Sequence, residues 1–161
     1  EGVYWIGTRG ETCRYDGEQF RRFTKPDGTS FTNVRCIIQD RSGNIWLGGN
    51  DGLWRHTTHM GKGTKIQVAV PFTGFIYEDS DGNIWTSSES PGARNRWVLT
   101  RYDHSRLHHP TPYSTQILIK EDMFFGILED REGNIWLGTL NGVGRYNGQT
   151  FEWFRDRGIK E

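Results

Sequence analysis

A chain of 161 residues is long enough to bury one core, but only 34% of it is apolar. That core must rest on large rings, of which there are seven Trp, six Tyr and nine Phe, and 21 glycines favour strands and tight turns over helices. Twenty basic residues balance twenty acidic ones with no Lys/Arg block, which excludes the charge footprint of a nucleic-acid binder. No apolar run approaches the ~20 residues of a membrane-spanning helix.

The chain opens on Glu1-Gly-Val-Tyr-Trp-Ile-Gly-Thr8, a worn copy of a motif that then recurs three times. The fuller copies are Asp40-Arg-Ser-Gly-Asn-Ile-Trp-Leu-Gly-Gly49, Asp79-Ser-Asp-Gly-Asn-Ile-Trp-Thr-Ser-Ser88 and Asp130-Arg-Glu-Gly-Asn-Ile-Trp-Leu-Gly-Thr139. Their tryptophans, Trp5, Trp46, Trp85 and Trp136, are 41, 39 and 51 residues apart. A second motif follows each: Thr12-Cys-Arg-Tyr-Asp-Gly17, Leu53-Trp-Arg-His56, Leu99-Thr-Arg-Tyr-Asp103 and Val143-Gly-Arg-Tyr-Asn-Gly148. Two linked motifs repeating in register mark a repeat architecture.

Each unit reads as four short strands. In the second, Val34 to Gln39 is an apolar innermost strand and Asp40 to Asn44 a turn. Ile45 to Gly49 then alternates faces, with Trp46 opposite Ile45 and Leu47. A turn at Asn50-Asp-Gly52 leads into Leu53 to Thr57, and Lys65 to Val70 closes the unit. The Asp carboxylate accepts from its own turn amides while Gly supplies a positive φ. Glycines after the Trp, such as Gly48 and Gly138, permit close backbone approach.

One such sheet cannot bury both of its faces, and radial stacking of four-stranded sheets near 40 residues each is the propeller solution. The expected fold is therefore all-β: a single β-propeller segment over 1–161, of about four blades with four antiparallel strands each. The blades fall near 1–33 (incomplete), 34–73, 74–123 and 124–161. The first lacks its innermost strand, so the count is about three and three-quarter blades, at the low edge of ring closure. The chain then reads as a fragment of a larger propeller, or, second, as a homo-oligomer in which identical chains complete the ring. Cys13 and Cys36 make no disulfide framework and read as two separate thiols, although they could pair.

The third unit is the irregular one. Its loop Ser87 to Trp97 offers Glu89, Arg94, Asn95, Arg96 and Trp97, in which guanidinium forks and an aromatic platform suit a polar or sugar-like ligand. A solvated surface loop is the plainer reading. The other excess, Asp103 to Tyr113, carries His104, His108 and His109, but their spacing fits no zinc motif. The Asp-x-x-Gly-Asn turns lack an EF-hand ligand run, so neither metal nor cofactor is expected. Arg14, Arg55, Arg101 and Arg145 recur once per unit, as packing residues do, and His56 takes the place of the repeated Tyr. No nucleophile elbow, His-Glu-x-x-His pair or phosphate loop occurs, so a binding module is expected rather than an enzyme.

Gly133 to Phe154 resembles the two-component regulator propeller repeat, and Trp5 to Phe23 and Asp40 to Arg55 resemble it as well. The resemblance implies the extracytoplasmic sensor propeller of a bacterial hybrid histidine kinase, periplasmic or extracellular, recognising an oligosaccharide or other small polar ligand. The alternatives are a propeller lyase similar to streptogramin lyase, with a His and a carboxylate converging on one face, and a protein–protein interaction scaffold.

Overall fold

The computed structural model describes residues 2–59, 62–92 and 95–154. Among the described residues, fifteen strands form four separate antiparallel meanders. Blade I has three strands, β1 (Tyr4–Gly7), β2 (Thr12–Tyr15) and β3 (Phe20–Phe23). Blade II runs through β4 (Cys36–Gln39), β5 (Ile45–Gly49), β6 (Gly52–His59) and β7 (Lys62–Ala69). Blade III comprises β8 (Thr73–Glu78), β9 (Ile84–Glu89), β10 (Trp97–Tyr102) and β11 (Ser114–Lys120). Blade IV comprises β12 (Phe124–Glu129), β13 (Ile135–Thr139), β14 (Gly142–Tyr146) and β15 (Phe151–Phe154). The sheets fan outward from the innermost strands, with β4 beside β1, and β8 between β4 and β12.

The Asp-x-x-Gly-Asn turn explains why each hairpin forms where it does. Asp40 Oδ1 accepts from the amides of Ser42 and Asn44, at 3.0 and 2.8 Å, while Gly43 takes a φ of 83°. Asp40 Oδ2 accepts from Asn44 Nδ2 and from the indole Nε1 of Trp46, both at 2.8 Å. The same indole-to-carboxylate bond recurs as Trp85–Asp79 at 2.7 Å and Trp136–Asp130 at 2.6 Å. The carboxylate therefore fixes the turn and orients the ring, which the sequence motif alone does not reveal. With those oxygens engaged by the turn, no calcium is needed to account for the Asp and Asn residues.

Burial occurs between blades. Each tryptophan points forward to the next blade, and each Ile/Leu pair beside it points back. Trp46 and Leu53 of blade II pack with Ile76, Ile84 and Tyr102 of blade III. Trp85 and Leu99 of blade III pack with Phe124, Ile127, Ile135 and Leu137 of blade IV. Ile45 and Leu47 of blade II meet Trp5 and Phe23 of blade I together with Phe31 of the connector. Four sheets thus make three cores, each belonging to a pair of neighbours. The repeated arginines lie on the tryptophans, with Arg55, Arg101 and Arg145 5.8, 6.0 and 5.7 Å from the ring centres.

Three local features depart from the sequence reading. The outer hairpin of blade II is longer than expected, with pairing continuing through Thr57↔Thr64 to His59↔Lys62. The segment after β10, read from sequence only for its histidines, contributes to the core: a 3-10 turn at His104–Arg106 delivers Leu107 between blades II and III. The carbonyl of His109 then accepts from buried Arg55 at 3.2 Å. Glycine does not serve one purpose at both post-Trp positions. A Cβ on Gly48 would come within 2.9 Å of the Thr73 carbonyl of the next blade, whereas Gly138 has only the Gly126 amide at 4.0 Å. Cys13 and Cys36 are free thiols on different blades.

Candidate functional site

In every blade the turn between its second and third full-repeat strands opens at one end of the fan. Thr8–Glu11, Asn50–Asp51, the described residues between β9 and β10 (90–92, 95 and 96) and Leu140–Asn141 therefore share a face, together with the connectors that lead to the next blade.

Thr8 organises the first of these loops: its Oγ1 donates to the Glu11 carbonyl at 2.8 Å and accepts from the Glu11 amide at 3.0 Å. The connector then clamps the loop, with the amide of Asn33 donating to the Arg9 carbonyl at 2.7 Å and that of Val34 to the Thr8 carbonyl at 3.2 Å. Asn33 adopts a left-handed φ of 47°, tolerable for Asn, and its Nδ2 donates to Asn50 Oδ1 at 2.8 Å. Arg35 follows, its amide donating to the Gly48 carbonyl at 2.8 Å.

These residues enclose an open polar hollow of about 690 Å³ lined by Gly7, Thr8, Arg9, Asn33, Val34, Arg35 and Asn50. The Arg9 and Arg35 side chains are exposed at its rim. Counting from the repeated Trp, Arg9 corresponds to Asn50 and Leu140; counting back from the repeated Asp, Arg35 corresponds to Gly74 and Phe125. Neither arginine recurs with the repeat, which separates them from the packing set Arg55, Arg101 and Arg145. Sequence reasoning missed them, although this departure from periodicity was the available signal.

A second hollow of about 490 Å³ adjoins at Asn50, lined by Lys25, Asp51, Trp54 and Gln67 among others. Its carboxylate is already engaged: Asp51 accepts from Lys25 Nζ at 2.6 Å, the Thr32 amide at 2.6 Å and the Thr32 hydroxyl at 3.0 Å. Burial works against ionisation of Asp51, yet the Lys25 and Thr32 bonds prevail and hold it below its usual range. Asp51 thus pins the connector between blades I and II.

The described residues singled out in the third unit, Glu89, Asn95, Arg96 and Trp97, lie on the same face but do not line that hollow. Glu89 ends β9 and is exposed, opposite Trp97 in the register. Asn95 is exposed with a left-handed φ of 59°, and Arg96 is exposed with its carbonyl bonded to the Ser90 amide at 2.8 Å. Arg94 lies outside the described residues. Trp97 is half buried, packed edge-on against Phe72 at 5.8 Å and against the core shared with blade IV. His104, His108 and His109 sit at the opposite end, and among the described residues no three His, Cys, Asp or Glu side chains converge to hold a metal ion.

Four radially stacked antiparallel meanders make this chain a β-propeller segment. Residues 28–51 and 118–141 match the two component regulator propeller family. Among solved structures it is similar to the extracellular domain assigned to the hybrid two component system BT4673 of B. thetaiotaomicron. The TM-score is 0.76 at 20% identity, covering 98% of this chain and 22% of that one. The extracellular domain assigned to the hybrid system BT3049 of the same bacterium gives 0.66 at 24%, covering 92% and 20%. PorZ, a surface component of the type-IX secretion system of Porphyromonas gingivalis, gives 0.69 at 16%, covering 95% and 25%. At these identities the likeness is one of fold, and this chain spans about a fifth to a quarter of their lengths. No curated protein matches the chain significantly. Among the described residues no helix is long and apolar enough to cross a membrane.

Proposed function

We propose that this segment is a ligand-recognition part of an extracytoplasmic sensor propeller in a two-component system, periplasmic or extracellular, and that it binds a small polar ligand of the oligosaccharide kind on its loop face. The observation that carries the reading is the polar hollow framed by Arg9 and Arg35, two arginines that the repeat does not require. Guanidinium forks and amides hold hydroxyl and carboxyl oxygens in fixed directions. The hollow's described lining holds no carboxylate, imidazole or thiol, which favours binding over catalysis. Glu89, Asn95, Arg96 and Trp97 form a second contact region on the same face, and Arg94 belongs to that loop by sequence. The similarity to extracellular domains of hybrid two component systems supports the sensor context.

A thermal-shift panel of neutral and acidic oligosaccharides tests this. A ligand at one hundred times its Kd stabilises the native state by about 2.7 kcal/mol, a shift of several degrees in a domain this size. The shift is expected to vanish in Arg9→Ala and Arg35→Ala. Its loss only in Arg96→Ala or Trp97→Ala would move the site to the long loop, and no shift with any saccharide would overturn the reading.

A further inference from the structure

The hollow beside the arginine site has a lining of different chemistry, and Asn50 belongs to both. Its walls carry Trp54, Gln67, Asp27, Pro26 and Val70, an indole and two small apolar groups among hydrogen-bonding side chains. Trp54 and Gln67 stand opposite each other on β6 and β7, so their side chains share one face of blade II. Trp54 occupies the place of Cys13, Thr100 and Gly144 in the other units, so the repeat does not require an indole there.

One atom fixes both of these side chains. The Asp51 carbonyl accepts from the Trp54 indole Nε1 at 2.7 Å and from Gln67 Nε2 at 3.0 Å. Phe31 meets the half-buried Trp54 ring edge to face, at 5.3 Å and 83°. With its amide nitrogen engaged, Gln67 presents Oε1 as an acceptor. Exposed Asp27 accepts from the Thr29 amide and hydroxyl through Oδ1, at 2.9 and 2.7 Å, which leaves Oδ2 as a second acceptor. An aromatic surface beside fixed acceptors suits a neutral sugar, whose ring has an apolar face and hydroxyl donors at its rim.

The arginine hollow carries the opposite charge preference. Among the described residues neither Arg9 nor Arg35 has an ion-pair partner. The loop carboxylates Glu11 and Asp51 are taken by Arg22 and Lys25, at 2.9 and 2.6 Å. Two such guanidinium forks suit the paired oxygens of a carboxylate. At the junction, Asn50 Oδ1 accepts from Asn33, which leaves the Asn50 amide nitrogen as a donor common to both hollows.

We infer that the two hollows are consecutive subsites for one acidic oligosaccharide: a carboxylate-bearing sugar sits between Arg9 and Arg35, and a neutral sugar linked to it lies against Trp54. The inference rests on the ligand reading above and adds the charge, the minimum length and the direction of the ligand. Because Asp51 already fixes Trp54 and Gln67, the second sugar orders few side chains on binding.

Isothermal titration tests this with free uronic acids, disaccharides joining each uronic acid to a neutral hexose, and the carboxyl-reduced forms of those disaccharides. One acidic disaccharide is expected to bind about tenfold more tightly than its free uronic acid, and about tenfold more tightly than its reduced form. Gln67→Ala and Trp54→Leu should each bring the disaccharide down to the affinity of the free uronic acid, while Arg35→Ala should weaken both. Gln67 is exposed, so its variant keeps the test decisive even where Trp54→Leu fails to fold. A disaccharide that binds no better than its uronic acid overturns the inference, as does one that binds Gln67→Ala as it binds wild type. A reduced disaccharide equal to the acidic one does so too. All three outcomes leave the ligand reading standing if Arg35→Ala still weakens binding, whereas no binding of any sugar overturns both.

Discussion

Glu78 Oε1 accepts a hydrogen bond from Arg41 Nε at 3.0 Å, tying the end of one blade's innermost strand to the hairpin turn of the blade before it. The same carboxylate accepts from the Arg41 amide at 3.0 Å, and the Arg41 guanidinium donates to the carbonyls of Asp79 and Ser80, at 2.7 and 2.9 Å. One blade further on, Glu129 accepts from the Ser80 amide at 2.6 Å and its hydroxyl at 2.8 Å. The latch therefore sets the pitch between blades through backbone amides, while the apolar cores supply the bulk of the adhesion.

Glu78→Gln is expected to lower unfolding free energy by about 1–2 kcal/mol, the range of a hydrogen bond to a charged group reduced for the exposure of Arg41. Glu129→Gln should act similarly. Urea denaturation measures both, and an unchanged midpoint would mean the latch contributes no stability.

Trp46→Phe keeps most of the ring volume but deletes the indole donor to Asp40, leaving a carboxylate oxygen with one partner fewer. A loss of about 1–3 kcal/mol is expected, against about 3–5 kcal/mol for Trp46→Ala, which also opens a cavity. Comparing the two by chemical denaturation separates the orienting bond from the packing.

Acid should weaken the fold at the Asp130 turn. The Trp136 indole bond is the main force on Asp130, and with the Asn134 and Glu132 bonds it outweighs desolvation to pull the carboxyl down to about 2. A native pKa below the unfolded value of about 4 means the stabilisation is complete above pH 4 and drains away as pH falls towards 2. Thermal melts from pH 5 to pH 2 should therefore fall steadily, and Asp130→Asn should show a shallower fall.

His56 gives a second pH-dependence. Burial, chiefly, with the nearby Lys65 and Arg14 charges, depresses its pKa, against the opposing Thr64 backbone bond. It lies 4.9 Å from Phe23 and 5.9 Å from Trp5, ring to ring. Neutral His is the folded form, so stability is full above the unfolded pKa of about 6.5 and declines as pH drops below it. His56→Phe should flatten the melting temperature between pH 7 and pH 5, and a persisting slope would assign it elsewhere.

Gly48→Ala forces a methyl against the Thr73 carbonyl and should destabilise by about 1–3 kcal/mol, as overpacking does. Gly138→Ala meets open space and should leave the stability of the isolated chain nearly unchanged. Melting the two side by side checks the difference.

The blades were legible because their register is written locally. Asp40 and Trp46 lie six residues apart and fall on one hairpin, so turn, strand and facing alternation all follow from nearest neighbours. The recurring motif then required radial stacking, since neither Trp46 nor Trp85 could be buried within its own sheet. The loop carrying Glu89, Asn95 and Arg96 was visible as an insertion. That Trp97 would be half consumed by Phe72 was not, because that contact depends on where the connector before β8 lies.

By itself, then, the sequence determined the repeat, the hairpins and the alternation that sets the repeated Trp opposite its flanking apolar residues, all set by turn chemistry and side-chain alternation. Only the tertiary structure decided the rest: the joining of Arg9 with Arg35, 26 positions apart, around one hollow, the insertion of Leu107 between two blades, and the reach of Glu78 to Arg41. Those contacts run between blades or between a blade and a connector, not within one hairpin. Their geometry exists only once neighbouring sheets have packed and fixed the distance between loops.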